Sequence, residues 1–362
     1  MIRLVKGLLA LLALGAAAVF LNGAPALADA GSGASATSCS TFPTTSGAES
    51  DAARAAAKKW VDAGITYYNN TDYRTAVKEF EKAIAADPRY VVAYTWRGDS
   101  CDNQGDHADA LLNYNAAIQL DATYQYAYAT RCDTLRELSE FDAAVLSCQK
   151  AMALDTTDPY AVRVLARVYH DEQKYDKAVH YYKLAYSMDK KAPALVGLCQ
   201  TYKDWSQYDQ AVSYCNLALT IDPENDDALF YRALAYMHQA KYPQALGDWN
   251  HYINRNAQDA NAHYNRGRTY QHMGRFKEAL SDYNMYVGLQ PDDPDGYLER
   301  GEVEVSLNDA ADAQKDLLRA KALYLKKGDT DSASEAQTWL DKIGGAPSIA
   351  PSPTPSAPIS LR

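Results

Sequence analysis

Alanine recurs at positions 76, 110, 144, 178, 211, 245, 279 and 313, a spacing of 34 residues broken once by 33. Twelve residues before each stands a small residue: Gly64, Gly98, Cys132, Ala166, Cys199, Ala233, Gly267 and Gly301. Self-similarity at this period marks an array of supersecondary units, each burying its apolar face against the next. Small residues at two fixed places let two antiparallel helices approach closely. Four residues after each Ala comes a larger side chain in most units, namely Phe80, Tyr114, Tyr182, Trp249, Tyr283 and Leu317, with Cys148 and Cys215 in the other two. That i, i+4 step puts both residues on one helix face. Gly105-Asp106 and Gly274-Arg275 mark turns between two helical stretches, and Asp87-Pro88, Asp222-Pro223 and Gln290-Pro291 end the second. Each period therefore reads as a helical hairpin, and the fold class as all-α.

The first unit reads Trp60, Ala63, Gly64, Tyr67, Ala76, Phe80, Pro88. This resembles the tetratricopeptide repeat, W-x2-L-G-x2-Y, then A-x3-F, then P, departing at Ala63. Counted from Ala57, units begin at 57, 91, 125, 159, 192, 226, 260 and 294. The third, with Cys132, Leu135 and Cys148 at signature places, and the last, with Glu304 in place of Tyr, are the weakest matches. The resemblance implies an α-solenoid superhelix of about eight helix-turn-helix hairpins over 49–328. Beyond it, Ser332-x-x-Glu335 offers a capping box, and Ala336, Trp339, Leu340 and Ile343 share one helical face. A capping helix is expected over 329–343, covering the last unit's apolar face.

The two ends differ from this middle. Arg3 and Lys6, an apolar run from Gly7 to Leu21, and Ala26-Leu27-Ala28 read as a secretory signal peptide over 1–28. The run is short for crossing a bilayer, so no stable membrane insertion is expected after cleavage. Residues 29–48 read as a flexible Ala/Ser/Thr/Gly leader, and 344–362, with Pro347, Pro351, Pro353, Pro355 and Pro358, as an extended disordered tail. The expected localisation is exported, periplasmic or secreted. A formal charge of −10 has the wrong sign for a phosphate-backbone binder, so nucleic acid is not an expected partner.

Cys132 and Cys148 are sixteen residues apart, as are Cys199 and Cys215, and both pairs occupy the eighth and twenty-fourth places of their units. Two disulfides within hairpins are expected, the alternative being that Cys serves as a small core residue. Cys39 and Cys101 remain for a third bridge. Arg97, Arg131, Arg232, Arg266 and Arg300 share the seventh place, with Asn113, Asp248, Asp282 and Asp316 at the twenty-third. A structural pairing of Arg with carboxylate is expected there in preference to a ligand-binding ladder.

The family resemblance implies that first helices line a concave groove for peptides or partner helices, through the second, fifth, ninth, twelfth and thirteenth places. In units two and three these include Asp99, Asp102, Asp133 and Glu137; in units four to seven, Arg163, Arg167, His170, Lys203, Phe230, Met237, Tyr264 and Arg268. Arg forks grip carboxylates and aromatics supply buried area, so the expected occupant is a protein or peptide with acidic residues and an apolar anchor. A solvated helix face of mixed charge is the plainer alternative. The Lys and Asn of the carboxylate clamp are not reproduced. His238, His272 and Asp204 make a metal conceivable, but helices about 8–10 Å apart strain the third ligand. The sequence contains no Walker loop, HExxH or GxSxG motif. The expectation is a scaffold that is not an enzyme, with no cofactor and no metal. The runner-up is an extracytoplasmic binding protein for a glycan or metal.

Overall fold

A computed structural model describes residues 50–345, and the described residues form seventeen helices and no strand. The expected signal peptide, the leader with Cys39, and the tail from 346 onward lie outside them. The first four hairpins are α1 (Asp51–Asn69) with α2 (Tyr73–Ala86), α3 (Val91–Asp102) with α4 (His107–Leu120), α5 (Gln125–Glu137) with α6 (Phe141–Leu154), and α7 (Pro159–Asp171) with α8 (Tyr175–Asp189). The next four are α9 (Ala192–Asp204) with α10 (Tyr208–Ile221), α11 (Asp226–His238) with α12 (Tyr242–Arg255), α13 (Ala260–His272) with α14 (Phe276–Leu289), and α15 (Pro294–Ser306) with α16 (Ala310–Lys327). Helix α17 (Thr330–Gly345) closes the array.

Within a hairpin, the twenty-fourth residue packs onto the eighth. A Cβ added to Gly98 would lie 2.5 Å from the Tyr114 ring, and one on Gly267 would lie 2.9 Å from Tyr283. Phe80, Tyr114, Trp249, Tyr283 and Leu317 are fully buried in these contacts, each stabilising by about 1.5–3 kcal/mol. In the third and fifth hairpins the same two places hold Cys132 bonded to Cys148 and Cys199 bonded to Cys215, with Cα atoms 5.4 and 5.2 Å apart. Cys101 is buried in α3.

The turn inside every hairpin is made alike. Its fifteenth residue takes a left-handed conformation in all eight units: Thr71, Gly105, Ser139, Gln173, Ser206, Ala240, Gly274 and Asn308 have φ between 54° and 84°. The next amide then donates to a carbonyl five residues back, as in Asp106 N to Cys101 O at 2.9 Å and Lys241 N to Tyr236 O at 2.8 Å. This satisfies the last carbonyls of the first helix.

First helices also touch one another along the array, α5 with α7 and α9 with α11 most extensively, whereas among the described residues the second helices do not pack on each other in this way. The first helices thus line the inner, concave side. At the far end Ala333 and Ala336 of α17 are buried against Leu298, Leu317 and Tyr324, with Trp339, Leu340 and Ile343 packed around them. The cap begins at Thr330, ahead of the expected capping box. Asp329 is its cap residue, accepting from the amide and hydroxyl of Ser332 at 3.0 and 2.7 Å.

Candidate functional site: the concave face

The first helices of units one to four place an aromatic file on the concave side. Tyr68 meets Trp96 edge-on at 5.1 Å, Trp96 lies 6.4 Å from Tyr126, and Tyr126 lies 6.2 Å from Tyr160. Beneath this file Asp99 accepts hydrogen bonds from the hydroxyls of Tyr114 at 2.8 Å and Tyr126 at 3.1 Å. Burial pushes its carboxyl up to about 7, against the pull of those two donors.

The acidic stretch and the basic stretch expected from the sequence interlock. Arg167 donates to Asp133 at 2.9 Å, Arg136 to Asp171 and Asp133 at 2.8 Å each, and Arg163 to Asp189 at 3.1 Å. His170 lies between Asp204 at 2.9 Å and Asp171 at 3.0 Å, and Lys203 reaches Asp204 at 2.7 Å. Partners in neighbouring first helices are 34 or 35 residues apart, one repeat along the array, so these pairs couple unit to unit. Burial alone would lower the His170 pKa, but its two carboxylate partners raise it to about 9. Arg167 is the most open of these cations, with 42% of its side chain exposed.

Further along, Phe230 stands half-buried, edge-on to Trp249 at 5.1 Å and Tyr252 at 5.4 Å. Tyr264 and Arg268 converge on Glu299, at 3.3 and 3.6 Å. Met237 does not face the groove. Only 2% exposed, it sits in the core with Leu234, Ala245 and Trp249. Its polar counterparts at the twelfth place, Asp102, Arg136, His170 and Lys203, are held at the surface by ionic partners; an unbranched apolar chain has none and folds inward. His238 and His272 stack on Tyr208 and Tyr242 with centroids 4.4 and 5.1 Å apart, while Asp204 is engaged by His170 and Lys203. These three residues therefore do not converge on a metal.

The shared register of packing, turns and groove is that of one repeat family. Models described as tetratricopeptide repeat match residues 61–124, 264–325 and 164–191, and one described as anaphase-promoting complex, cyclosome, subunit 3 matches 204–284. The chain belongs to the tetratricopeptide-repeat family.

Solved structures place this tetratricopeptide-repeat protein among others of the same fold. It is similar to a tetratricopeptide-repeat protein from Parabacteroides merdae, at 16% identity and a TM-score of 0.51, covering 68% of this chain and 98% of that one. It is similar to the APC/C Cut9–Hcn1 hetero-tetramer, at 13% and 0.58, covering 76% of this chain and 55% of that chain. Pseudomonas aeruginosa pilF matches at 18% and 0.52, covering 59% and 96%. No curated protein matches in sequence.

The arginine column of this tetratricopeptide-repeat chain is structural. Arg232, Arg266 and Arg300 each grip both carboxylate oxygens of Asp248, Asp282 and Asp316 at 2.5–2.9 Å. Arg97 donates to Asn113 at 2.7 Å, and Arg131 to Ser147 at 3.1 Å. The remaining nitrogen reaches back one hairpin to an amide oxygen: Arg131 to Asn115, Arg232 to Asn216, Arg266 to Asn250 and Arg300 to Asn284. These Asn residues stand sixteen before each Arg, a signal present in the sequence and missed there. The file of Tyr68, Trp96, Tyr126 and Tyr160 was missed as well, although Tyr126 and Tyr160 share the second place and Tyr68 holds the twelfth; only Trp96, at the sixth place, stands outside the groove register.

Proposed function

We propose that the chain is an exported, non-catalytic scaffold that binds a peptide or partner segment along the concave face of its array. Tetratricopeptide repeats suggest a protein–protein interaction scaffold. The observation that carries the finer reading is the set of half-buried aromatics on the first helices of units three, four, six and seven, Tyr126, Tyr160, Phe230 and Tyr264, with ion-paired but partly exposed Arg163, Arg167 and Lys203 on the first helices of units four and five. Aromatic anchors bordered by charge supply apolar area and direction together. Among the cations, Arg167 is the one placed to take a ligand carboxylate while keeping Asp133. The two cystine bridges and the first 28 residues support an oxidising, extracytoplasmic setting.

Affinity capture tests this, using the oxidised chain on a native envelope or secreted extract, beside an R167E/Y264A variant of unchanged circular dichroism. Proteins retained by the wild type and lost by the variant are expected. Identical capture by both forms would overturn the groove assignment. A ligand retained after protease digestion of the extract would overturn the protein-partner reading in favour of a glycan or metal.

A further inference from the structure

Among the described residues one set of three His, Asp and Glu side chains brings its donor atoms within 4.8 Å of one another: Asp102, His107 and Glu137. We propose that these three residues form a binding site for a divalent transition-metal ion, two of its ligands, Asp102 and Glu137, standing at groove places of the first helices. The hairpin turn of unit two builds the first half. The left-handed Gly105 folds the chain back so that His107, first residue of α4, faces Asp102, last residue of α3, with Nδ1 2.8 Å from Oδ1. The repeat register supplies the rest. A ring at the seventeenth place meets the thirteenth residue of the next unit, which makes the Tyr208–His238 and Tyr242–His272 stacks. At this junction the same register sets imidazole nitrogen against the Glu137 carboxylate, 3.9 Å from Oε2.

Without an ion, Nδ1 can serve Asp102 at 2.8 Å by donating a proton, and Glu137 Oε2 lies beyond hydrogen-bond reach of it; an ion would take that proton's place, the imidazole then keeping its proton on Nε2. Two carboxylates therefore converge on a nitrogen that serves one of them. An ion with bonds of about 2.1 Å at tetrahedral or octahedral angles needs donors about 3.0–3.4 Å apart, within the range of small rotations of these side chains. Arg136 holds the other Glu137 oxygen, Oε1, at 2.9 Å and so presents Oε2 to the site. One imidazole nitrogen with two carboxylate oxygens suits Zn²⁺, Co²⁺ or Mn²⁺ better than Ca²⁺ or Mg²⁺, with water filling the open positions. Bound there, the ion would tie units two and three together.

The test is titration of tag-free, chelator-treated full-length protein with Zn²⁺ by calorimetry and with Co²⁺ by visible absorption. One saturable equivalent is expected, weakened at least about tenfold in H107A and in E137Q, the latter an exposed change that leaves packing intact. An H238A/H272A variant should bind like the wild type. Wild-type affinity in both H107A and E137Q, or no saturable binding of either ion, would overturn the site.

Discussion

The guanidinium of Arg232 on α11 holds both carboxylate oxygens of Asp248 on α12, at 2.8 and 2.6 Å, and donates 2.7 Å back to Asn216 of the preceding hairpin. Asp248 is almost buried, with 8% of its side chain exposed. Truncating the Arg strands that charge, which typically costs about 3–5 kcal/mol, whereas replacing both partners with apolar groups is close to neutral. R232A should therefore lower the denaturation midpoint sharply, and R232M/D248L should recover most of the loss. A shift in R232A below about 1 kcal/mol would show that the pair is a solvated surface contact.

Ala240 sits at φ 54° where two other units use glycine, Gly105 and Gly274. The left-handed conformation costs an L side chain about 1 kcal/mol, because Cβ crowds the following carbonyl. A240G is expected to raise the midpoint by about that amount and G274A to lower it similarly. Ala240 is exposed, and nothing lies within 4 Å of a Cβ at Gly274, so packing does not decide either change. If both changes left the midpoint unmoved, the turn geometry would not be contributing to stability.

The hairpins were legible because their constraints are local or periodic. Gly98 under Tyr114, Ala at the twentieth place and Gly105 in the turn each recur at a fixed interval, and spacing alone reports them. The left-handed turn in units without glycine was hidden, since Ser139, Gln173 and Ala240 have no compositional signature; hydrogen bonding to the preceding carbonyls imposes the conformation on them. Met237 was misplaced for a related reason. Register assigns a place on the helix, while the side chain's own partners decide whether it turns inward. The places of Arg167, His170 and Lys203 in their repeats were legible, but their pairing with Asp133, Asp171 and Asp204 depends on how closely neighbouring first helices approach, which no single repeat encodes.

Cys132–Cys148 and Cys199–Cys215 each close a loop across sixteen positions within one hairpin. The chain-entropy model gives about 3 kcal/mol for a loop of that size. Reduction is expected to lower the thermal midpoint, and hydrogen exchange should show α5, α6, α9 and α10 losing protection first, because a repeat array stabilises its units locally. C132A/C148A should reproduce the loss in the third hairpin alone. Uniform loss of protection along the array on reduction would show that the bridges act globally.

Asp99 gives the array a pH dependence opposite to that of an ordinary ion-paired carboxylate. Its folded-state value is about 7 against an ordinary 3.8, so between these the folded chain holds a proton that the unfolded chain has released. Its contribution to stability therefore falls as pH rises from about 4 to 7, and stays low above that. D99N retains an acceptor for the Tyr114 hydroxyl and removes the ionisation. Relative to the wild type it should gain stability at pH 8 and little or none at pH 5. His170, raised to about 9, adds a contribution present below about 6.5 and lost as pH climbs through 9; it cancels in this comparison because D99N leaves it in place. Denaturant midpoints of the two proteins at pH 5 and 8 decide the matter: an offset equal at both would mean that Asp99 ionises in the fold as it does in water.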